Sequence, residues 1–267
     1  MSAPFRWPDG RRCAVSLTYD DALPVHCEHV GPCLEAHGLR GTFYLNIAGE
    51  PTRNSAPWRE LGARGHELGN HTLFHPCRRY PRSLHPWLDK SFDLRGYTPE
   101  RFRLELQVAN AFLHLLDGRS ERSFAHTCYD AHIGRLWKKA PISDLIRGEF
   151  VAARATKSNR PVLVSHSLDL MRLACCVGDH RSFDELRDQI CAGRSQAAWL
   201  IFVFHGIGAG THPTQFVTPA AHEALINWLV GRTEIWVSPL LDVAKWVRDW
   251  QAGCCDQTRQ EEIAEPH

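Results

Sequence analysis

Continuous apolar, β-prone runs alternate with helix-period stripes along most of this chain, and that alternation restricts its fold more than any other feature. Strand-like runs are CAVSLTY (13–19), GTFYLN (41–46), SFAH (123–126), EFVAA (149–153), PVLVSH (161–166), WLIFVFH (199–205) and EIWVSP (234–239). Several are largely continuous apolar runs, as expected of strands covered on both faces. Between them, residues 99–117 set Phe102, Leu106, Ala109, Leu113 and Leu116 at steps of four and three, one buried face of a helix. Thr98 and Pro99 open that helix as N-cap and first residue, and Gly118 follows it. Thr218–Pro219 gives the same start to AAHEALINWLV, and a last helix carries Val243, Trp246, Val247 and Trp250 on one side. Strand and helix in alternation over 267 residues predict one parallel α/β domain, spanning 1–252, with a solvated tail over 253–267.

Other features narrow the function. A net charge of +1 gives no polybasic case for a nucleic acid or a membrane surface. No apolar run approaches the roughly 18 residues of a membrane span. The start, MSAPFRWPDGRRCAVSL, does not read as a signal peptide, because its apolar run follows charged residues and continues into a strand. A cytoplasmic location is therefore expected, with the ten cysteines as free thiols. No cysteine pair has CxxC spacing, and the adjacent pairs Cys175–Cys176 and Cys254–Cys255 carry no site logic. No glycine-rich phosphate-binding fingerprint follows any strand. The stretch 76–97 is long and rich in proline and arginine, the kind of connector that often serves function.

Chemistry enters where the strands end. The first run closes on two adjacent acids, Asp20 and Asp21. In parallel α/β folds, catalytic groups gather at the carboxyl ends of strands, and successive side chains there point in different directions. GHELGNHTLFHP (65–76) spaces His71 and His75 four apart, which on a helix would turn both imidazoles to one point. Two histidines and one carboxylate make a zinc-type ligand set with a position left for water. A metal would also explain the acid pair: one aspartate is neutralised as a ligand while the other stays free to take a proton. LIFVFHG ends in a third polar group, His205, placed to act as an acid on the same face. HCEH (26–29) has near-ligand spacing too, but is expected on an exposed first turn of the helix after the first strand.

Together, SLTYDD, GTFYLN, GHELGNHTLFHP and IFVFHG resemble the polysaccharide deacetylase family, the NodB-homology domain of carbohydrate esterase family 4, over roughly residues 10–250. The resemblance implies a distorted (β/α) barrel of about seven parallel strands. It also implies metal-dependent removal of N-acetyl, sometimes O-acetyl, groups from a carbohydrate. Carried over by position, Asp21, His71 and His75 match the metal ligands, zinc or another divalent ion such as cobalt or nickel. Asp20 matches the general base and His205 the general acid.

The chain departs from the family's third motif, commonly F-R-P-P-Y-G. The matching stretch FAHTCYD (124–130) has Ala125 where arginine is usual, Thr127 where proline is usual and Tyr129 where glycine is usual. Cys128 and Tyr129 are expected in the pocket wall. A base beside a metal needs a cationic partner to keep it ionised. EFVAARAT follows an apolar run with Arg154, which is expected to reach Asp20 from a neighbouring strand. The acid that orients His205 is either Asp179 or Asp184. An acetylated sugar is the expected substrate. A small non-sugar amide or imide, and a non-catalytic carbohydrate-binding role, remain as alternatives.

Overall fold

The computed structural model describes residues 4–79 and 85–263, with side chains to Gly253. Seven parallel strands close into a barrel: β1 (Cys13–Asp20), β2 (Thr42–Leu45), β3 (Glu67–Asn70), β4 (Ser123–Ala125), β5 (Ala152–Lys157), β6 (Leu173–Val177) and β7 (Trp199–Phe204). The ring closes where Ala14–Tyr19 of β1 pair with Trp199–Phe204 of β7. A short eighth strand, β8 (Ile235–Val237), pairs with Cys13–Val15 at the amino end of β1, while β2 meets β1 at its carboxyl end, Thr18–Asp20. The distorted seven-stranded barrel implied by the resemblance is thus what forms.

Strand periodicity places the chemistry. Along β1, Val15, Leu17 and Tyr19 face outward and pack with Leu34, Trp58, Leu186 and Leu225 of the surrounding segments. The intervening Ser16, Thr18 and Asp20 then face the opposite side, inside the barrel, because successive side chains alternate. The interior mixes apolar side chains such as Ala14, Ile201 and Val203 with polar ones that are hydrogen-bonded. Buried Glu67 accepts from Thr42 Oγ1 (2.7 Å), Ser123 Oγ (2.5 Å) and the Leu241 amide (2.9 Å), so its burial leaves no orphaned oxygen. Gly69 stands where a Cβ would come within 2.5 Å of the Tyr44 ring, so the glycine makes room for that ring inside the barrel.

The helices around the barrel follow their sequence signals. α1 (Pro99–Asp117) is capped by Thr98, whose Oγ1 accepts from the Arg101 amide, and ends at Gly118 with φ +71°. Its Phe102, Leu106, Ala109, Leu113 and Leu116 are buried. α2 (Phe183–Arg194) carries a full capping box between Ser182 and Glu185. α3 (Pro219–Val230) starts at the Thr218 cap. α4 (Leu240–Ile263) buries Val243 and Val247 but leaves Trp246 41% exposed. No described helix is long and apolar enough to cross a membrane. The tail expected over 253–267 falls beyond the described side chains.

Two strand expectations need correction. PVLVSH contributes only an isolated antiparallel bridge from Val162 to Trp199, not a barrel strand. The barrel instead uses ELGN (67–70) and LACCV (173–177). The first is too polar to read as a strand, and the second makes the Cys175–Cys176 pair part of a buried strand. EFVAA is shifted too, since the ladder begins at Ala152 and runs to Lys157.

Burial also makes the fold acid-sensitive. Desolvation drives His26, His66 and His126 down to about 4 and His222 down to about 3. Their folded pKa values lie below the unfolded value near 6.5, so the unfolded chain binds more protons in that window. The stability they confer is complete above about pH 6.5 and is lost as pH falls toward 4, by up to about 1.4 kcal/mol per pH unit for each histidine. Buried Asp130, raised to about 6, and His205, raised to about 9, work in the opposite sense but are outnumbered. The urea midpoint should fall between pH 7.5 and 5, and less so in His222→Gln. A midpoint constant over that range would contradict this account.

Candidate active site

At the carboxyl end of β1 the backbone leaves the strand through Asp21 and Ala22, with φ of 77° and 51°. The turn swings the Asp21 carboxylate over the barrel mouth while Asp20 stays inside it, 3% exposed. His71 and His75 follow β3 in a loop, not on the helix their spacing suggests. Thr72 and His75 take left-handed φ of 68° and 53°. Asn70 Oδ1 accepts from the Thr72 amide (2.7 Å) and Thr72 Oγ1 from the His75 amide (2.9 Å), which holds this strained turn in place. The two rings still converge, with centroids 4.9 Å apart.

His75 Nε2 lies 3.2 Å and His71 Nε2 3.6 Å from Asp21 Oδ1. His71 Nδ1 donates to the Ala125 carbonyl (2.9 Å), so its Nε2 keeps a lone pair toward the site. Asp21 Oδ1 is buried and accepts no hydrogen bond. Two ligands held about 2.0–2.1 Å from a tetrahedral zinc ion would sit roughly 3.3 Å apart. The three donors therefore fit a divalent cation. Burial drives His71 down to about 4, so its ring is neutral as a ligand must be.

Around this triad stand the other polar groups. Burial works to raise the Asp20 carboxyl, but the Arg154 guanidinium, with His71 and His205, holds it below the usual carboxylate range. Arg154, fully buried on β5, donates from Nη2 to Asp20 Oδ2. Its guanidinium carbon lies 5.2 Å from the centre of the Tyr44 ring and 5.8 Å from that of Tyr129. Its register partner across β4 is Ala125, so the cation comes from the strand next to the one where the family's third motif carries arginine. His205 Nε2 is 4.0 Å from Asp21 Oδ2, and His205 Nδ1 donates to Asp179 Oδ2 (2.6 Å). Burial would lower the His205 ring, but Asp179 and Asp21 more than offset it and bring it to about 9. Asp184 takes no part: it lies in the first turn of α2, paired with Arg187 at 2.7 Å.

Some expectations fail here. The ten cysteines are not all thiols, since Cys77 and Cys128 form a disulfide. It ties the loop after His75 to the loop after β4, where Cys128 and Tyr129 both have left-handed φ. Their spacing of 51 residues gave no hint of pairing. Cys13, Cys27, Cys33, Cys175, Cys176 and Cys191 are free. HCEH is not an exposed ligand pair: His26 is fully buried and its Nε2 donates to the His205 carbonyl (2.9 Å). Tyr129 is half-buried beside Arg154, and Cys128 is held in the disulfide. Residues 80–84 of the long connector lie outside the described residues, but its exposed Trp87 stands with its ring 5.8 Å from that of His75. Sequence reasoning passed over His212, whose Nε2 is 3.9 Å from Asp21 Oδ2. Its one sequence signal is a glycine-rich loop, GIGAGTHP, directly after the strand-end His205.

A family model for polysaccharide deacetylases matches residues 8–132, the segment that carries Asp20, Asp21, His71 and His75. That segment, just under half of the chain, is similar to the polysaccharide deacetylase family. Among solved structures, a Mycobacterium smegmatis protein assigned to these deacetylases superposes with a TM-score of 0.65 at 17% identity, covering 93% of this chain and 94% of that one. A family 4 acetyl xylan esterase from Clostridium thermocellum, in complex with cobalt, gives 0.50 at 16% identity over 86% and 89%. A family 4 pseudoenzyme from Bacillus anthracis gives 0.52 at 14% identity over 91% and 69%. At such identities these likenesses concern the barrel fold alone. A search of curated proteins finds no significant match.

Proposed function

We propose that this chain is a polysaccharide deacetylase, a metal-dependent hydrolase that removes acetyl groups from an acetylated carbohydrate. The observation that carries the reading is the convergence of Asp21, His71 and His75, one donor atom from each within 4.8 Å of the others, between Asp20 and His205. Asp21, His71 and His75 would hold a divalent cation, with zinc suited to the mixed imidazole and carboxylate set and cobalt or nickel as substitutes. When bound, the ion supplies Lewis acidity that acidifies a water and polarises the acyl carbonyl. Asp20, kept ionised by Arg154, takes the proton of the attacking water. His205, held by Asp179, gives a proton to the departing nitrogen, which cannot leave as an anion. Retention of both proton-transfer groups favours an enzyme over a non-catalytic relative.

The test combines metal analysis with a deacylation screen. Purified protein should carry about one divalent ion per chain, and His71→Ala and His75→Ala should lose it. Metal-loaded protein should release acetate from acetylated sugars in preference to small amides or imides. Equal metal in wild type and both variants would remove the metal site. Turnover of amides or imides alone would replace the carbohydrate with a small-molecule substrate.

A further inference from the structure

His212 lies on a loop built to hold it. Two short parallel segments, Gly206–Ile207 and Phe216–Val217, pair and close the loop. A Cβ on Gly206 would come within 2.4 Å of Thr211 Oγ1 and 3.0 Å of His212 Cβ, so only glycine after His205 lets the loop fold back this closely. Gly208 and Gly210 turn it with φ of +89° and +88°. The result seats the His212 ring 5.5 Å from that of His205, with its side chain only 16% exposed.

Hydrogen bonding fixes the tautomer of this ring. His212 Nδ1 accepts from the Thr214 amide (3.2 Å) and the Gln215 amide (2.9 Å). With that lone pair engaged by two backbone donors, the hydrogen of the neutral ring resides on Nε2. Nε2 therefore has no lone pair for a metal, unlike Nε2 of His71. It faces the site as an N–H donor, 3.9 Å from Asp21 Oδ2, too far for a hydrogen bond to that oxygen. His205 Nε2 stands 4.0 Å from the same oxygen. Two imidazole nitrogens thus stand near the same oxygen of the Asp21 carboxylate, which places the His212 donor beside the Asp21, His71 and His75 triad.

We propose that His212 is a substrate-binding residue whose Nε2–H donates to the acyl oxygen, the oxygen that gains charge as water adds. A donor preset by backbone contacts needs no reorganisation when that charge develops, so its effect should be larger in the transition state than in the ground state. The inference rests on the deacetylase reading, and its test separates the two.

Two variants divide the ring's roles. In His212→Asn, Oδ1 can still accept from the loop amides, but nothing reaches the position of Nε2. In His212→Gln, the longer side chain can return an N–H donor to that position. Both should keep the wild-type metal content and melting temperature. Acetate, the carboxylate product, serves as the probe of the oxygen site by calorimetry on metal-loaded protein. His212→Asn should bind acetate about three- to tenfold more weakly, as for one lost hydrogen bond. Its kcat should fall by up to about 10²–10³ on whichever acetylated sugar the wild type hydrolyses. His212→Gln should recover part of both losses. Wild-type acetate affinity and kcat in His212→Asn would overturn the proposal, as would equal losses in the two variants. A wild type that binds metal and acetate but hydrolyses no acetylated sugar would overturn the deacetylase reading instead, while the acetate measurements would still decide the role of His212.

Discussion

Asp20→Asn should keep its metal and lose about 10²–10⁴ of its turnover, whereas Asp21→Asn should lose the metal itself. The difference follows from where β1 ends. Asp20 is the last residue in strand geometry, points into the barrel and meets the Arg154 guanidinium. Asp21 is in a left-handed turn and meets His71 and His75. An amide at position 20 cannot accept a proton, but it leaves the three metal donors where they are. An amide at position 21 removes the anionic member of the donor set. Asp20→Asn also leaves the buried Arg154 without its counter-charge, so some loss of stability should accompany it. Elemental analysis beside turnover, on protein first shown to be folded, reads the distinction. Parallel metal loss in both variants would end the division of labour between the two acids.

What the sequence made legible, and what it did not, follows from how far each physical signal reaches. Asp20, Asp21 and His205 could be found because each terminates an apolar run, and strand ends collect chemistry in a parallel barrel. His71 and His75 could be found by spacing, yet the helix inferred for them was wrong. The spacing survives because Thr72 and His75 adopt left-handed φ, held by Asn70 and Thr72 side chains, and such a turn has no periodicity to read. ELGN was invisible as a strand because its polar residues are satisfied by partners distant in sequence, Glu67 inside the barrel by Thr42 and Ser123 and Asn70 on the outer side by the Leu106 carbonyl of α1. The choice between Asp179 and Asp184 needed the fold, since only the first lies beside β7. The Cys77–Cys128 bridge could not be deduced from spacing either, and it withdraws the free-thiol argument for a reducing compartment from two of the ten cysteines.

Removing the Arg154 cation is expected to cost about 3–5 kcal/mol of stability and to move the acid limb of the pH–rate profile upward, with metal content unchanged. Arg154 and Asp20 are 0% and 3% exposed, so neither charge is relieved by solvent if the other is lost. Burial already pushes the Asp20 carboxyl up, and Arg154 is foremost among the charges that hold it down. Without that charge the folded-state pKa of Asp20 rises, and the carboxylate becomes protonated at a higher pH than in the wild type. The base is then lost earlier as pH falls. Arg154→Met keeps much of the side-chain volume and removes the charge, so it isolates the electrostatic effect from cavity formation. Arg154→Lys restores the charge but not the planar guanidinium stacked near Tyr44 and Tyr129, and should recover part of the profile. The measurements are kcat/KM against pH, metal per chain and a urea titration of each variant. An Arg154→Met enzyme whose acid limb coincides with that of the wild type would show that Arg154 supports the fold without tuning Asp20.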